Sequence, residues 1–329
     1  MMCARQIRLH GSLLVVGFVI LISATAGAAS ASEVTRIAFG TGSTGGLYFI
    51  AGSAVVKVLN EQMAGVINVS PQSTVGSAFA TKKVDSKELD MALATVDAVE
   101  NGYKGLEEFR QKTENIRAVM AIMNLGTALV VLENSPIKSI RDMRGKSIGA
   151  NSAMEQKRIA GIMEQYGFTE KDYSIKMISY GEQANALKDG TLAVAFLSAY
   201  PQNATVLDLF TTRGARMISI DPEQAAGFAR KYPYWTPFEM PAGVYPKQDH
   251  PVRVASLRGL LIAHKDVDKK IVYDVVKTIT SSTKQLAAIH PVGADFTVDQ
   301  TRQYLKDGLI NIPWHPGAEK FFKEKGVLR

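Results

Sequence analysis

Arg36-Ile37-Ala38-Phe39-Gly40-Thr41-Gly42-Ser43-Thr44-Gly45-Gly46-Leu47-Tyr48-Phe49 decides the fold, because its patterning changes twice within a few residues. The first four residues read as a short strand and the glycine-rich run as a turn. The stretch beyond reads as a helix, with Leu47, Ala51, Ala54, Val55, Val58 and Leu59 at helical spacing. A strand that passes through a glycine turn into a helix opens an α/β unit with a parallel sheet. Gly40 to Gly45 also fits G-x-G-x-x-G, the spacing that brings a backbone close to a phosphate. The next strand, however, ends in Asn68-Val69-Ser70-Pro71, with no acidic residue to hold a ribose hydroxyl. What survives is physical: glycines admit a ligand closely, and a helix N-terminus attracts an anion such as a carboxylate. A purely structural tight turn is the alternative.

Outward from that turn, strands are expected at residues 66–69 and 89–94, then two in quick succession at 117–123 and 128–132. They are short and apolar, as buried parallel strands are. A second series follows: strand 146–150, helix 153–166 closed by Gly167, strand 173–179, helix 182–188 ending at Gly190, and strand 191–196. Pro201 is placed as the first residue of a further helix, and 216–220 as the last strand of the series. A loop rich in proline and aromatic residues at 232–245 precedes a β-run at 256–263 and a long helix at 267–289. Helical character resumes near Val298 and near Ala318. Two such series, joined near Asn124 and rejoined near Pro246, predict a two-lobed α/β clamshell with a ligand cleft between the lobes. Residues 33–123 with 247–329 form lobe one, and 124–246 form lobe two.

Residues 1–31 have the three-part grammar of a secretory signal peptide. Arg5 and Arg8 are its basic end, Leu13 to Ile22 its apolar core, and small residues with A-x-A sites at 24–26 and 29–31 its cleavage region. The apolar core is shorter than the 18 or so residues of a membrane span. Cleavage near Ala31 would deliver the chain to the periplasm and remove Cys3, the one cysteine. The mature chain then has no disulfide, thiol nucleophile or thiolate metal site.

The net charge of +7 does not point to nucleic acid, because Lys82-Lys83 and Lys269-Lys270 are short pairs beside acidic residues. Catalytic signals are weak. The window around Ser43 lacks the leading glycine of G-x-S-x-G, and His250, His264, His290 and His315 have no partner at metal-ligand spacing. His315 reads as a packed turn residue. A non-enzymatic, monomeric chain without metal or cofactor is expected.

Four stretches carry a more specific likeness: Gly40 to Phe49 (GTGSTGGLYF), Ser135 to Gly149 (SPIKSIRDMRGKSIG), Lys231 to Tyr245 (KYPYWTPFEMPAGVY) and Pro313 to Gly326 (PWHPGAEKFFKEKG). With them the chain resembles the TAXI subgroup of TRAP-transporter solute receptors, from about Ile37 to its C-terminus. The resemblance implies a periplasmic receptor that closes over a small polar or anionic solute, of the amino-acid or organic-acid class. It would then dock on a membrane permease driven by an ion gradient. A sensory receptor, or the receptor of an ATP-driven importer, is the alternative on the same fold.

Carried over position by position, the resemblance implies ligand contacts at Ser43, Thr44, Gly45, Gly46 and Tyr48 in the first loop, and at Thr74 and Ser77 in the next. Asp97 is carried over as well, and by their placement Thr95, Tyr200, and Asn151, Ser152 and Gln156 at the start of a helix in lobe two are read as further contacts. Leu47, Ala80, Thr95-Val96, the run from Asn151 to Glu155, and Tyr200 depart from the family pattern, which implies altered specificity. Backbone N–H groups of Gly45 and Gly46, with the Thr44 and Ser77 hydroxyls, are read as one anchor for a carboxylate. Asn151 and Ser152 have a second reading as helix caps. Lys157 and Arg158 are candidate anion partners, but Arg158 is read in preference as the surface partner of Glu155, three residues earlier. Tyr232, Tyr234 and Trp235 are read as packing at the rear of the cleft.

Overall fold

β1 (Thr35–Gly42) carries the strand expected at 36–39 onward into the glycines, and α1 (Leu47–Gln62) starts directly after the turn. The computed structural model describes residues 34–232 and 234–329, so the segment read as a signal peptide, with Cys3, lies outside them. β2 (Ile67–Ser73), α2 (Ser77–Asp85), β3 (Met91–Thr95) and α3 (Val96–Lys104) complete the first series. β1 pairs in parallel with both β2 and β3. Met91 and Leu93 pack into the cluster under α1, while Ala92 and Ala94 pack with Ala80 and Val84 of α2. Helices on both faces explain why these strands are apolar without alternation.

The long β4 (Ile116–Leu132) leads to β5 (Ser147–Ala150), α4 (Ala153–Glu164), β6 (Ser174–Met177), α5 (Tyr180–Lys188) and β7 (Ala195–Tyr200). Next come α6 (Ala204–Thr212), β8 (Ala215–Ile218), α7 (Pro222–Lys231), β9 (Trp235–Met240) and β10 (Val252–His264). α8 (Lys269–Ser281), α9 (Thr283–Ile289), α10 (Val298–Lys306) and α11 (Pro316–Glu324) end the chain. Main-sheet order is β2-β1-β3-β10-β4-β7, with β8 beside β4 and β9 beside β10. β5 and β6 form a parallel pair that reaches β7's approach through a bridge between Ile148 and Val194. The architecture is the two-lobed α/β clamshell expected from the sequence.

Several elements differ from the sequence reading. β4 is a single strand of 17 residues instead of two. Residues 124–127 break the apolar run, but pairing such as Gly126 with Ser256 and Thr127 with Ala255 of β10 holds them extended. β9 forms inside the expected aromatic loop because β10 offers it a free edge from Val252 to Leu257. Pro201 does not start a helix. α6 begins three residues later, where the Asn203 side chain accepts the Thr205 N–H at 2.8 Å, a cap that proline cannot provide. The long helix expected at 267–289 breaks at Ser282 into α8 and α9.

β4 and β10 serve both lobes. Residues 259–263 of β10 pair with β3, and its residues 252–257 pair with β9. The far half of β4, from Gly126 onward, pairs with β7 and β8. Among the described residues no helix is long and apolar enough to cross a membrane.

Candidate functional site

Between the lobes the walls close on a small chamber that leaves about 40 Å³ for the centres of water-sized groups. A buried water needs about 10–15 Å³ by that measure, so the space suits about three waters. Ser43, Gly46, Tyr48, Ser77 and Thr95 line it from the first lobe, and Asn151, Ser152, Glu155, Arg158, Tyr180 and Ser198 from the second. Every wall carries hydroxyls, with Leu93, Leu125 and Met154 as apolar filling.

The chief cross-lobe contact is an ion pair. Asp97, in the first turn of α3, and Arg158, in the middle of α4, are 7% exposed each. Asp97 Oδ2 accepts from Arg158 Nε at 3.1 Å and from Nη2 at 2.5 Å, and Arg158 Nη2 also donates to Thr95 Oγ1 at 3.1 Å. The Trp235 indole N–H donates to the same Oδ2 at 3.3 Å, and the guanidinium lies 4.8 Å from the Trp235 ring centre. Burial pushes the Asp97 carboxyl up, but the Arg158 charge and these hydrogen bonds more than offset that and hold it below its ordinary value. Arg158 is likewise held in its charged form, because Asp97 outweighs its desolvation.

Glu155 is not on the surface. It is buried in the chamber wall, where its carboxyl accepts the Tyr180 hydroxyl and, at 2.8 Å, the Asn151 N–H. Burial raises its proton affinity more than those bonds and Arg158 lower it. The reading of Arg158 as the surface partner of Glu155 is therefore overturned: the helix turns Arg158 inward, and its partner comes from the other lobe.

The residues expected from the sequence fall into two groups. Ser43, Gly46, Tyr48, Ser77, Thr95, Asn151 and Ser152 meet at the chamber. The buried Tyr48 hydroxyl finds no hydrogen-bond partner, and burial raises its proton affinity well above the ordinary value. Ser77 Oγ accepts the Thr95 N–H at 3.0 Å, and Ser152 also caps α4 by accepting the Glu155 N–H. Thr74 is buried but stands outside the lining, as does Asp97 itself, which reaches the chamber through Arg158.

Thr44, Gly45, Gln156 and Tyr200 stand outside this lining. Thr44 is exposed, with its hydroxyl 3.3 Å from that of Ser73. Gln156 points to an outer hollow beside Tyr173 and Met177, because it lies two residues before Arg158 on α4 and so on another face. Tyr200 packs on Phe238 at 4.7 Å, at the end of β7 and away from the chamber. The two glycines take part in contacts of their own. The Gly46 N–H is spent on the Ser43 carbonyl at 3.0 Å, and the Gly45 carbonyl accepts from Asn203 and Thr205 of the second lobe. A Cβ on Gly46 would lie 2.8 Å from the Tyr180 ring, so these glycines let the lobes touch.

Glu155, Tyr180 and Ser198 were not foreseen, and Arg158 was ranked below a surface role. Asp97 and Arg158 are 61 positions apart, and only the tertiary fold joins them. The bland reading of His315 stands: it is buried, with Nε2 2.9 Å from the Val267 carbonyl oxygen. Among the described residues no group of three or more His, Cys, Asp or Glu side chains could hold a metal ion.

Similar folds occur among solved structures. One described as a periplasmic transporter is 14% identical and has a TM-score of 0.56, over 91% of this chain and 95% of its own. A protein of Bordetella bronchiseptica RB50 is 13% identical with a TM-score of 0.54, over 89% and 98%. The periplasmic aliphatic sulphonate binding protein SsuA of Escherichia coli is 13% identical over 86% and 96%, with a TM-score of 0.46. At these identities the likeness is one of fold. A family model described as the NMT1-like family matches residues 39–326, from β1 to beyond α11, and the chain belongs to the NMT1-like family.

Proposed function

We propose that the chain is an exported solute receptor that captures a small polar solute between its lobes and hands it to a membrane permease. The observation that carries this reading is the chamber itself, walled by hydroxyls from both lobes and bordered by a buried ion pair that spans them. Closing the lobes removes a solute from water, and every polar wall group that pairs with it avoids the cost of staying unsatisfied. The permease distinguishes closed from open only if the solute favours closure, so ligand contacts supply the free energy of the change.

In this reading residues 33–123 with 247–329 act as one lobe and 124–246 as the other, with β4 running from one into the other and β10 pairing with strands of both. The protein works as a monomer in the periplasm. The four stretches quoted above support a TRAP permease of the TAXI type as the recipient. A thermal-shift screen of the exported protein against amino acids, dicarboxylates and keto acids tests solute capture. At least one class is expected to raise the melting temperature with concentration, by about 2.7 kcal/mol of stabilisation at 100 times its dissociation constant. Ser77→Ala is expected to reduce that gain. A flat response across the panel would remove solute capture. Uptake by cells carrying the receptor and its permease should survive ATP depletion and stop when the ion gradient is collapsed. The opposite sensitivity would assign the receptor to an ATP-driven importer.

A further inference from the structure

A groove of about 560 Å³ adjoins the chamber, and Met154 and Arg158 are walls of both. Tyr232, Tyr234 and Trp235 form its aromatic side; Trp235 is buried and the two tyrosines half-buried. Asp97 lines the groove and not the chamber. Its two carboxylate oxygens are treated very unequally. Oδ2 takes all three donors, two from Arg158 and one from Trp235, while Oδ1 is buried without a partner. A buried carboxylate oxygen left unpaired is costly, and a ligand N–H group satisfies it.

Charge narrows the ligand further. Where the two rooms meet stands the buried pair Arg158–Asp97, while Glu155, whose carboxyl burial inclines to the neutral form, lines the chamber, and Glu107, Glu170, Lys157 and Lys231 line the groove. A ligand with only a carboxylate competes with Asp97 for Arg158 and places like charges together. A ligand with only an amine competes with Arg158 in the same way. A zwitterion gives each member of the pair an opposite charge and strands neither. The chamber holds only a few atoms, so any larger body must lie in the groove, where aromatic faces favour a flat apolar group.

Resting on the reading of the chain as a solute receptor, we propose that groove and chamber form one site for an α-amino acid with a flat aromatic side chain. Its ammonium group meets Asp97 Oδ1, its carboxylate meets Arg158, and its ring lies against Tyr232, Tyr234 and Trp235.

Calorimetric titration of the exported protein at neutral pH with five probes tests this: L-phenylalanine, 3-phenylpropanoate, phenethylamine, L-alanine and glutarate. Phenylalanine is expected to bind at least about tenfold more tightly than each of the others. Asp97→Asn is expected to shrink its advantage over 3-phenylpropanoate. Tyr232→Ala, at a half-buried position that leaves the ion pair in place, is expected to shrink its advantage over alanine even if the Asp97 variant does not fold. Alanine or 3-phenylpropanoate binding as tightly as phenylalanine would overturn the proposal. Glutarate bound while phenylalanine is ignored would overturn it and leave the receptor reading intact. Silence from all five, with a flat thermal-shift screen, would remove both.

Discussion

Asp97 and Glu155 are buried carboxyl groups near the same guanidinium, yet their proton affinities move in opposite directions. Asp97 receives Arg158 directly, so its native value falls below the ordinary 3.8. Its contribution to stability is complete above that pH and is lost as pH falls through the native value. Glu155 is raised from 4.5, so the native state favours its protonated form, and stability falls as pH rises from 4.5 through the native value. Glu155→Gln carries no such proton. The melting temperature of this variant minus that of the parent is expected to climb from pH about 4.5 toward neutrality. A difference that does not change with pH would show that native Glu155 ionises at its ordinary value. The sequence was a poor guide to these two residues. Three-residue spacing placed Glu155 and Arg158 together on a helix surface, but it could not say that this surface faces the other lobe. Hydroxyl positions near element starts, such as Ser43, Ser77 and Ser152, were more legible, because local patterning fixes where strands and helices end.

The contact between the glycine turn and α5 belongs to the scale of elements. Gly46 fits beneath the Tyr180 ring, and Gly45 offers its carbonyl to Asn203 and Thr205 at the start of α6. Gly46→Ala has ordinary backbone angles at φ −89°, so strain within the turn is not its main effect. Its Cβ meets a side chain of the other lobe at 2.8 Å, and the expected result is a protein that folds but closes less fully. Small-angle scattering should give a larger radius for this variant than for the parent, with far-UV circular dichroism unchanged. An unchanged radius would mean that Tyr180 moves aside. Most elements could be read from periodicity, since buried strands and capped helices declare themselves locally. Elements that depend on a distant partner could not. β9 exists because β10 pairs with it, and the middle of β4 stays extended because β10 holds it there.

For the whole molecule, the decisive question is how firmly the lobes hold each other. Lys157 and Glu107 also pair across the cleft, but their side chains are about half exposed, at 52% and 45%. Such a pair contributes about 0–1 kcal/mol. The Asp97–Arg158 pair is buried, so Arg158→Ala would leave a carboxylate uncompensated and is expected to destabilise the fold by about 3–5 kcal/mol in urea denaturation. Adding Asp97→Asn to that variant should recover much of the loss, since it removes the stranded charge. No recovery would mean that packing of the guanidinium on Trp235, and not its charge, holds the lobes together.

β4 begins in one lobe and ends in the other, and β10 pairs along it from Ala255 to His264. A recombination joint at the boundary between lobes would therefore fall in mid-strand, mixing two ancestries within a single hydrogen-bonded ladder. New ligand preference is therefore expected to arise by substitutions along the cleft walls rather than by exchange of halves.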